Sequence, residues 1–221
     1  MISLKFAIAK KRPLKVLCLG AHSDDIEIGC GGTLIQLFEY YPDSEFFWMV
    51  FSASAERALE AEKSASAYLK KVKRKEIVIK DFRDGFFPYI GEGIKQSFED
   101  LKKHFNPDVI FTACRHDLHQ DHRLISELTW NTFRDHLILE YEILKYDGDL
   151  GSPNVFVPLK RSTCAEKIRR LKDCFKSQQG NSWFDEECFY ALMRIRGIES
   201  NSASRYAEAF FCRKSSLNFN F

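Results

Sequence analysis

Long apolar runs are missing from this 221-residue chain: none exceeds the six residues of 46–51, far short of the ~18 that a membrane-spanning helix needs. A charge bias is missing too. The 33 Lys and Arg stand against 31 Asp and Glu, a formal charge of +2, which argues against nucleic acid held on a broad basic patch. The seven cysteines are odd in number and no pair forms CxxC, so neither a disulfide framework nor a zinc ribbon is expected. They read as small core residues of a protein kept in a reducing cytoplasm, with Cys18 and Cys114 inside buried strands. Lys5 interrupts the only apolar stretch at the N-terminus, which lacks a signal-peptide layout. No repeat, low-complexity tract or long Pro/Gly/Ser linker divides the sequence.

What is present is ordinary for a globular protein: 45% hydrophobic and 29% charged residues, enough apolar side chain for a sizeable core. The length suits one domain over residues 1–221. Twenty phenylalanines imply core and leave room for contacts in a homo-oligomer.

Strand and helix patterns alternate. Residues 15–19 form a short apolar strand ending at Gly20, and 33–41 a helix stopped by Pro42. Further strands are expected at 45–51, 76–79, 108–113, 139–143 and 206–213. Helices are expected at 54–71, 94–105, 123–134, 163–177 (capped by Ser162) and 184–196. Such alternation through residue 134 argues for a Rossmann-like α/β fold, a parallel sheet with helices on both faces. Ligands of such sheets bind beyond the carboxyl ends of the strands.

Two clusters of reactive side chains lie at those ends. Gly20-Ala21-His22-Ser23-Asp24-Asp25-Ile26-Glu27 follows the first strand; His116-Asp117-Leu118-His119-Gln120-Asp121-His122 follows the strand 108–113. Four of the six histidines, His22, His116, His119 and His122, fall in these segments. A catalytic zinc takes three protein ligands, commonly histidine and carboxylate, and leaves a fourth position for a water of lowered pKa. A neighbouring free carboxylate can take that water's proton. Adjacent Asp24 and Asp25 suit such a division of labour. On composition and placement alone, an ion-pair network explains the clusters equally well.

GAHSDDIEIGCGGTL together with HQDH resembles the PIG-L/LmbE family of zinc-dependent N-acetylglucosaminyl deacetylases. Arg57-x-x-Glu60, Asp84-Gly85, NPDVIFT and YAEAF (206–210) resemble further family segments. The resemblance covers most of residues 14–213, with a motif-bearing core at about 14–134 and a variable part at 135–221. It implies zinc, or another divalent ion, on His22, Asp25 and His122. Asp24 is implied as general base, His119 as the group that stabilises or protonates the tetrahedral species, and Asp121 as the acid that orients His119. The implied activity is release of acetate from an N-acetylated amino sugar or small conjugate. Another metal-dependent amide hydrolase and a catalytically silent sugar binder are the alternatives. Ser23 stands where the family usually has proline, and Ile26 splits the acidic run, leaving Glu27 the structural task of tying down loop N–H groups.

Weaker features complete the reading. Gly29-Cys30-Gly31-Gly32 lacks the spacing of a phosphate loop and reads as a tight turn into a helix. Arg57 either reaches substrate or pairs with Glu60. Tyr146, in the mixed aromatic and charged stretch 141–149, either lines a sugar pocket or belongs to a surface turn. His104 and His136 fall outside the clusters.

Overall fold

The computed structural model describes residues 3–6 and 12–216. Strand β1 (Lys15–Gly20) leads into helix α1 (Asp25–Tyr40), followed by β2 (Glu45–Val50), α2 (Ala55–Tyr68) and β3 (Arg74–Ile79). Then come a 3₁₀ turn (Phe87–Tyr89), α3 (Gly91–His104), β4 (Val109–Ala113), α4 (Gln120–Thr132) and β5 (Leu137–Tyr141). The remainder adds β6 (Val155–Pro158), α5 (Arg161–Cys174), α6 (Glu186–Glu199) and β7 (Ala207–Phe211).

These strands make one sheet in the order β3-β2-β1-β4-β5-β7-β6. The first five are parallel, and β7 pairs antiparallel with both β5 and β6. Strand order reverses between β1 and β4, which opens a crevice beyond their carboxyl ends. Both clusters begin there.

Alternation within the strands feeds two cores. Phe46, Trp48 and Val50 of β2 join Val16 and Cys18 of β1 under α1, α2, α5 and α6. Phe47 and Met49 join Leu17 and Leu19 against α3 and α4. This two-sided burial produces the near-continuous apolar strands seen in the sequence. All seven cysteines are free thiols, five of them buried.

The structure departs from expectation at four places. Helix α1 begins at Asp25 rather than residue 33, so the glycine run lies inside the helix instead of in a turn. A Cβ on Gly29 would sit 2.2 Å from the ring of Tyr141; glycine is there to let that ring approach. Helix α4 begins at Gln120, three residues early, and carries His122 in its first turn. Helix α5 starts at Arg161, and Ser162 lies within it rather than capping it. Finally, β6, which the sequence did not signal, closes the sheet with β7 as an antiparallel edge.

Candidate metal centre and active site

The two clusters meet at the crevice because the helices that follow β1 and β4 both start there. Asp24 is the N-cap of α1 and Asp25 its first residue; His119 is the N-cap of α4. The positive ends of two helix dipoles thus point into one cleft, where anionic groups are favoured. His22, Asp24, Asp25, Asp121 and His122 are all buried.

Three donor atoms form a small triangle. His22 Nδ1 lies 3.1 Å from His122 Nε2, His122 Nε2 lies 3.3 Å from Asp25 Oδ2, and Asp25 Oδ2 lies 3.6 Å from His22 Nδ1. A tetrahedral ion with bonds of ~2.0–2.1 Å sets its donors about 3.3–3.4 Å apart. The three side chains therefore fit such an ion with little movement. Asp25 Oδ2 is held in place by the backbone N–H of His22 at 2.8 Å.

The outer partners are equally defined. His122 Nδ1 lies 2.8 Å from Asp117 Oδ2, leaving Nε2 for the triangle. His22 Nε2 lies 2.9 Å from Asp84 Oδ1 and 3.2 Å from Asp121 Oδ2. A carboxylate behind a ligating imidazole fixes its tautomer and orientation. Asp121 also accepts hydrogen bonds from the N–H groups of Gly85 at 2.7 Å and Phe87 at 3.1 Å. The positive φ of Gly85, 76°, lets the Asp84-Gly85 turn present that N–H.

Protonation follows from these contacts. Burial works to lower the pKa of His22, but Asp25, Asp121 and Asp84 outweigh it and hold it well above the ordinary value. His122 is likewise raised, to about 9, because Asp25 and Asp117 overcome its burial. Burial works to raise Asp25, yet His122 and His22 hold it well below the usual carboxylate range. His119 is lowered by burial and by its two histidine neighbours.

Asp24 is arranged differently. Its Oδ1 accepts a 2.8 Å hydrogen bond from Arg57 Nη2, while Oδ2 is buried without a partner. Burial raises its pKa against the pull of Arg57. The carboxylate is thus anchored by one oxygen, with the other free to take a proton. Arg57 does not pair with Glu60, which instead accepts from the backbone N–H and hydroxyl of Ser177.

The His119 ring lies 4.8 Å from that of His22 and 4.7 Å from that of His122. Its Nδ1 accepts the backbone N–H of Asp121 at 3.2 Å, so a neutral ring carries its proton on Nε2. The orienting contact expected from the Asp121 carboxylate comes instead from the Asp121 backbone, and the carboxylate serves His22. Around His22, two overlapping sets also bring metal-type donors within 4.8 Å of one another: His22, His119 and His122, and His22, Asp84, His119 and Asp121.

Some expected participants stand apart. Tyr146 is exposed and its hydroxyl lies 2.9 Å from Ser182 Oγ. His116 neighbours Arg213 at 3.4 Å, and His136 pairs with Asn106 at 2.8 Å. Glu27 ties down no N–H: both its oxygens are buried without partners, and burial pushes its pKa to about 8. Asp117 was visible as a member of its cluster but carried no distinguishing mark, because its value comes from spacing in three dimensions.

Comparison with known proteins agrees with the α/β fold and names a family. The PIG-L family, described as GlcNAc-PI de-N-acetylase, matches residues 17–133. The chain belongs to this family. Among solved structures, the conserved protein TT1542 of Thermus thermophilus superposes with a TM-score of 0.74 at 20% identity, over 93% of this chain and 97% of that one. The N,N'-diacetylchitobiose deacetylase of Pyrococcus horikoshii gives 0.67 at 24% identity, over 89% and 82%. GalB, the 4-carboxy-2-hydroxymuconate hydratase of Pseudomonas putida, gives 0.73 at 15%, over 94% and 99%. These likenesses establish the fold, which among those neighbours serves both a deacetylase and a hydratase. No curated protein matches the chain.

Proposed function

We propose that this chain, as a single domain over residues 1–221, is a metal-dependent hydrolase that removes an N-acetyl group from an amino sugar or small amino-sugar conjugate, releasing acetate. The observation that carries the reading is the donor triangle of His22, Asp25 and His122, with the unpartnered Oδ2 of Asp24 alongside. A silent binder needs no such free base. Family membership supports the substrate class, as does the diacetylchitobiose deacetylase among the structural neighbours.

His22, Asp25 and His122 would hold the ion, zinc or another divalent metal that accepts a His₂Asp set. When bound, it supplies Lewis acidity and a water acidic enough to ionise near neutral pH. Asp24 takes the water's proton on Oδ2 and delivers it to the departing nitrogen, while Arg57 keeps the carboxylate from turning away. As the carbon–oxygen bond forms and the carbon–nitrogen bond breaks, His119 donates from Nε2 to the oxygen that gains charge. Asp121 acts through its backbone on His119 and through its carboxylate on His22. Arg57 Nε, buried and unpartnered, is available to a substrate hydroxyl, and the exposed Tyr146 ring to a sugar face. The free thiols favour a reducing, cytoplasmic setting.

A screen of N-acetylated sugars for acetate release, with metal content measured on the same sample, tests the reading. Release that chelation abolishes and zinc restores is expected. Metal-loaded protein that releases no acetate from any of them, or a triple mutant of the ligands that keeps its metal, overturns it.

A further inference from the structure

Behind His122 lies a second set of buried charges that the reaction described above does not use. Asp117 is buried, with Oδ2 on His122 Nδ1 at 2.8 Å. Its other oxygen, Oδ1, accepts the backbone N–H of His119 at 2.7 Å and lies 3.0 Å from Lys145 Nζ. Lys145 in turn lies 2.5 Å from Asp149 Oδ2, and Asp149 accepts the N–H of Leu118 at 2.7 Å. The acidic trio Asp117, Asp147 and Asp149 has donor spacing suited to a cation, and the ammonium of Lys145 already occupies it.

The segment that presents Lys145 is clamped at its base. Glu142 accepts the N–H of Gly151 at 3.2 Å, and Arg196 bridges Glu142 at 2.7 Å and the carbonyl of Gly151 at 2.9 Å. Lys145 is therefore delivered from a fixed loop, with its side chain only 11% exposed. Both Lys145 and Asp149 lie outside residues 17–133, the part that the family match covers.

We infer that Lys145 is a positioning residue of the metal centre: by locking Asp117 between itself and His119, it holds the carboxylate that aims His122. Without the ammonium, Asp117 would face Asp149 unshielded and turn away from His122 Nδ1, freeing the imidazole to rotate. This rests on the metal reading above.

The test is Zn²⁺ affinity of metal-stripped protein, measured by competition with a chromophoric chelator, with the Co²⁺ absorption spectrum as a second readout. Asp117→Asn should weaken Zn²⁺ by ~10–100-fold, as carboxylates behind metal-bound histidines do. Lys145→Met should weaken it by a smaller factor, of about fivefold or more, and shift the Co²⁺ bands, which a loss of stability alone would not do in protein that remains folded. Lys145→Arg should restore affinity. The double variant should bind no more weakly than Asp117→Asn alone, because the lysine acts through the aspartate. Wild-type affinity in Lys145→Met, or additive losses, overturns the inference. Should Lys145→Met not fold, Asp149→Asn, which loosens Lys145 from the other side, must weaken Zn²⁺ as well or the inference fails. A wild-type chain that binds no Zn²⁺ takes both readings down.

Discussion

The parallel half of the molecule, through β5, and the part that follows it use their charges in opposite ways. In the first, ionisable groups gather at the strand ends and face a cleft. In the second, they reach back and bolt the chain together. Lys167 is buried, donating to the carbonyl of Ile28 and to Glu208 Oε1, both at 2.6 Å. Glu208 accepts the N–H groups of Gly32 at 2.8 Å and Thr33 at 2.6 Å. Ile28 and Gly32 are four apart in α1, so this ion pair grips the ladder of the helix whose first turn carries Asp25. Arg213 seizes Glu140 of β5 through two nitrogens, at 2.6 and 2.9 Å. One half thus offers the chemistry, and the other holds its geometry.

The largest effect should come from the cleft. Asp24→Asn removes basicity while sparing all three proposed ligands. Metal content should stay at the wild-type level and kcat should fall by ~10²–10⁴-fold. Asp25→Asn should instead lose metal and activity together. Reversed metal contents would exchange the two roles, and full activity in Asp24→Asn would put the base elsewhere.

The bolts should fail differently. Glu208→Gln leaves the Lys167 ammonium buried without its counter-charge, and breaking one partner of a buried pair typically costs ~3–5 kcal/mol. The urea midpoint should drop accordingly, while metal-loaded protein that remains folded should retain most of its turnover. A variant of wild-type stability with a large loss of kcat would erase the contrast between the two halves.

How much of this the sequence disclosed depends on range. The clusters after β1 and β4 are local, eight and seven residues long, and their placement at strand ends follows from alternation alone. The antiparallel edge was half hidden: residues 206–213 read as a strand, but β6 is four residues long and bounded by proline, so no period develops. Glu208 and Gly32 lie 176 residues apart, and Lys145 and Asp117 lie 28 apart across a loop; no spacing rule joins either pair. The start of α1 at Asp25 departs from the sequence pattern for a related reason. Glycine ordinarily disfavours a helix interior, and the close approach of Tyr141 to Gly29, Tyr68 to Gly31 and Leu159 to Gly32 explains why it is tolerated here.

Glu27 gives a pH-dependent test of the cleft's surroundings. It is buried beside Ser64 of α2, with a pKa of about 8 against 4.5 for the free side chain. Between those values the folded protein keeps the proton and the unfolded chain has lost it, so stability must fall as pH rises. Above about pH 8 the folded form ionises too and the decline levels off. In metal-free protein, Glu27→Gln should remove this component, and its advantage over wild type should grow from pH 5 to pH 8 in urea unfolding. Parallel pH profiles for the two proteins would mean that Glu27 is not held neutral in the fold.

The smallest expected effect compares two helix starts within the second half. Ser162 has the residue type of a cap, yet it lies inside α5, whose N-cap is Lys160 with no side-chain bond to the first turn. Asp185 does cap α6: its Oδ2 accepts from the N–H groups of Glu187 at 2.8 Å and Cys188 at 3.3 Å. Removing a cap of that kind costs ~0.5–2 kcal/mol. A surface substitution without such a bond stays within about 0.5 kcal/mol. Asp185→Ala should therefore lower stability measurably and Ser162→Ala should not, by urea unfolding at neutral pH. An equal loss in both would mean that Ser162 does engage the first turn of α5, and that residue type had marked the start of that helix more faithfully than its backbone.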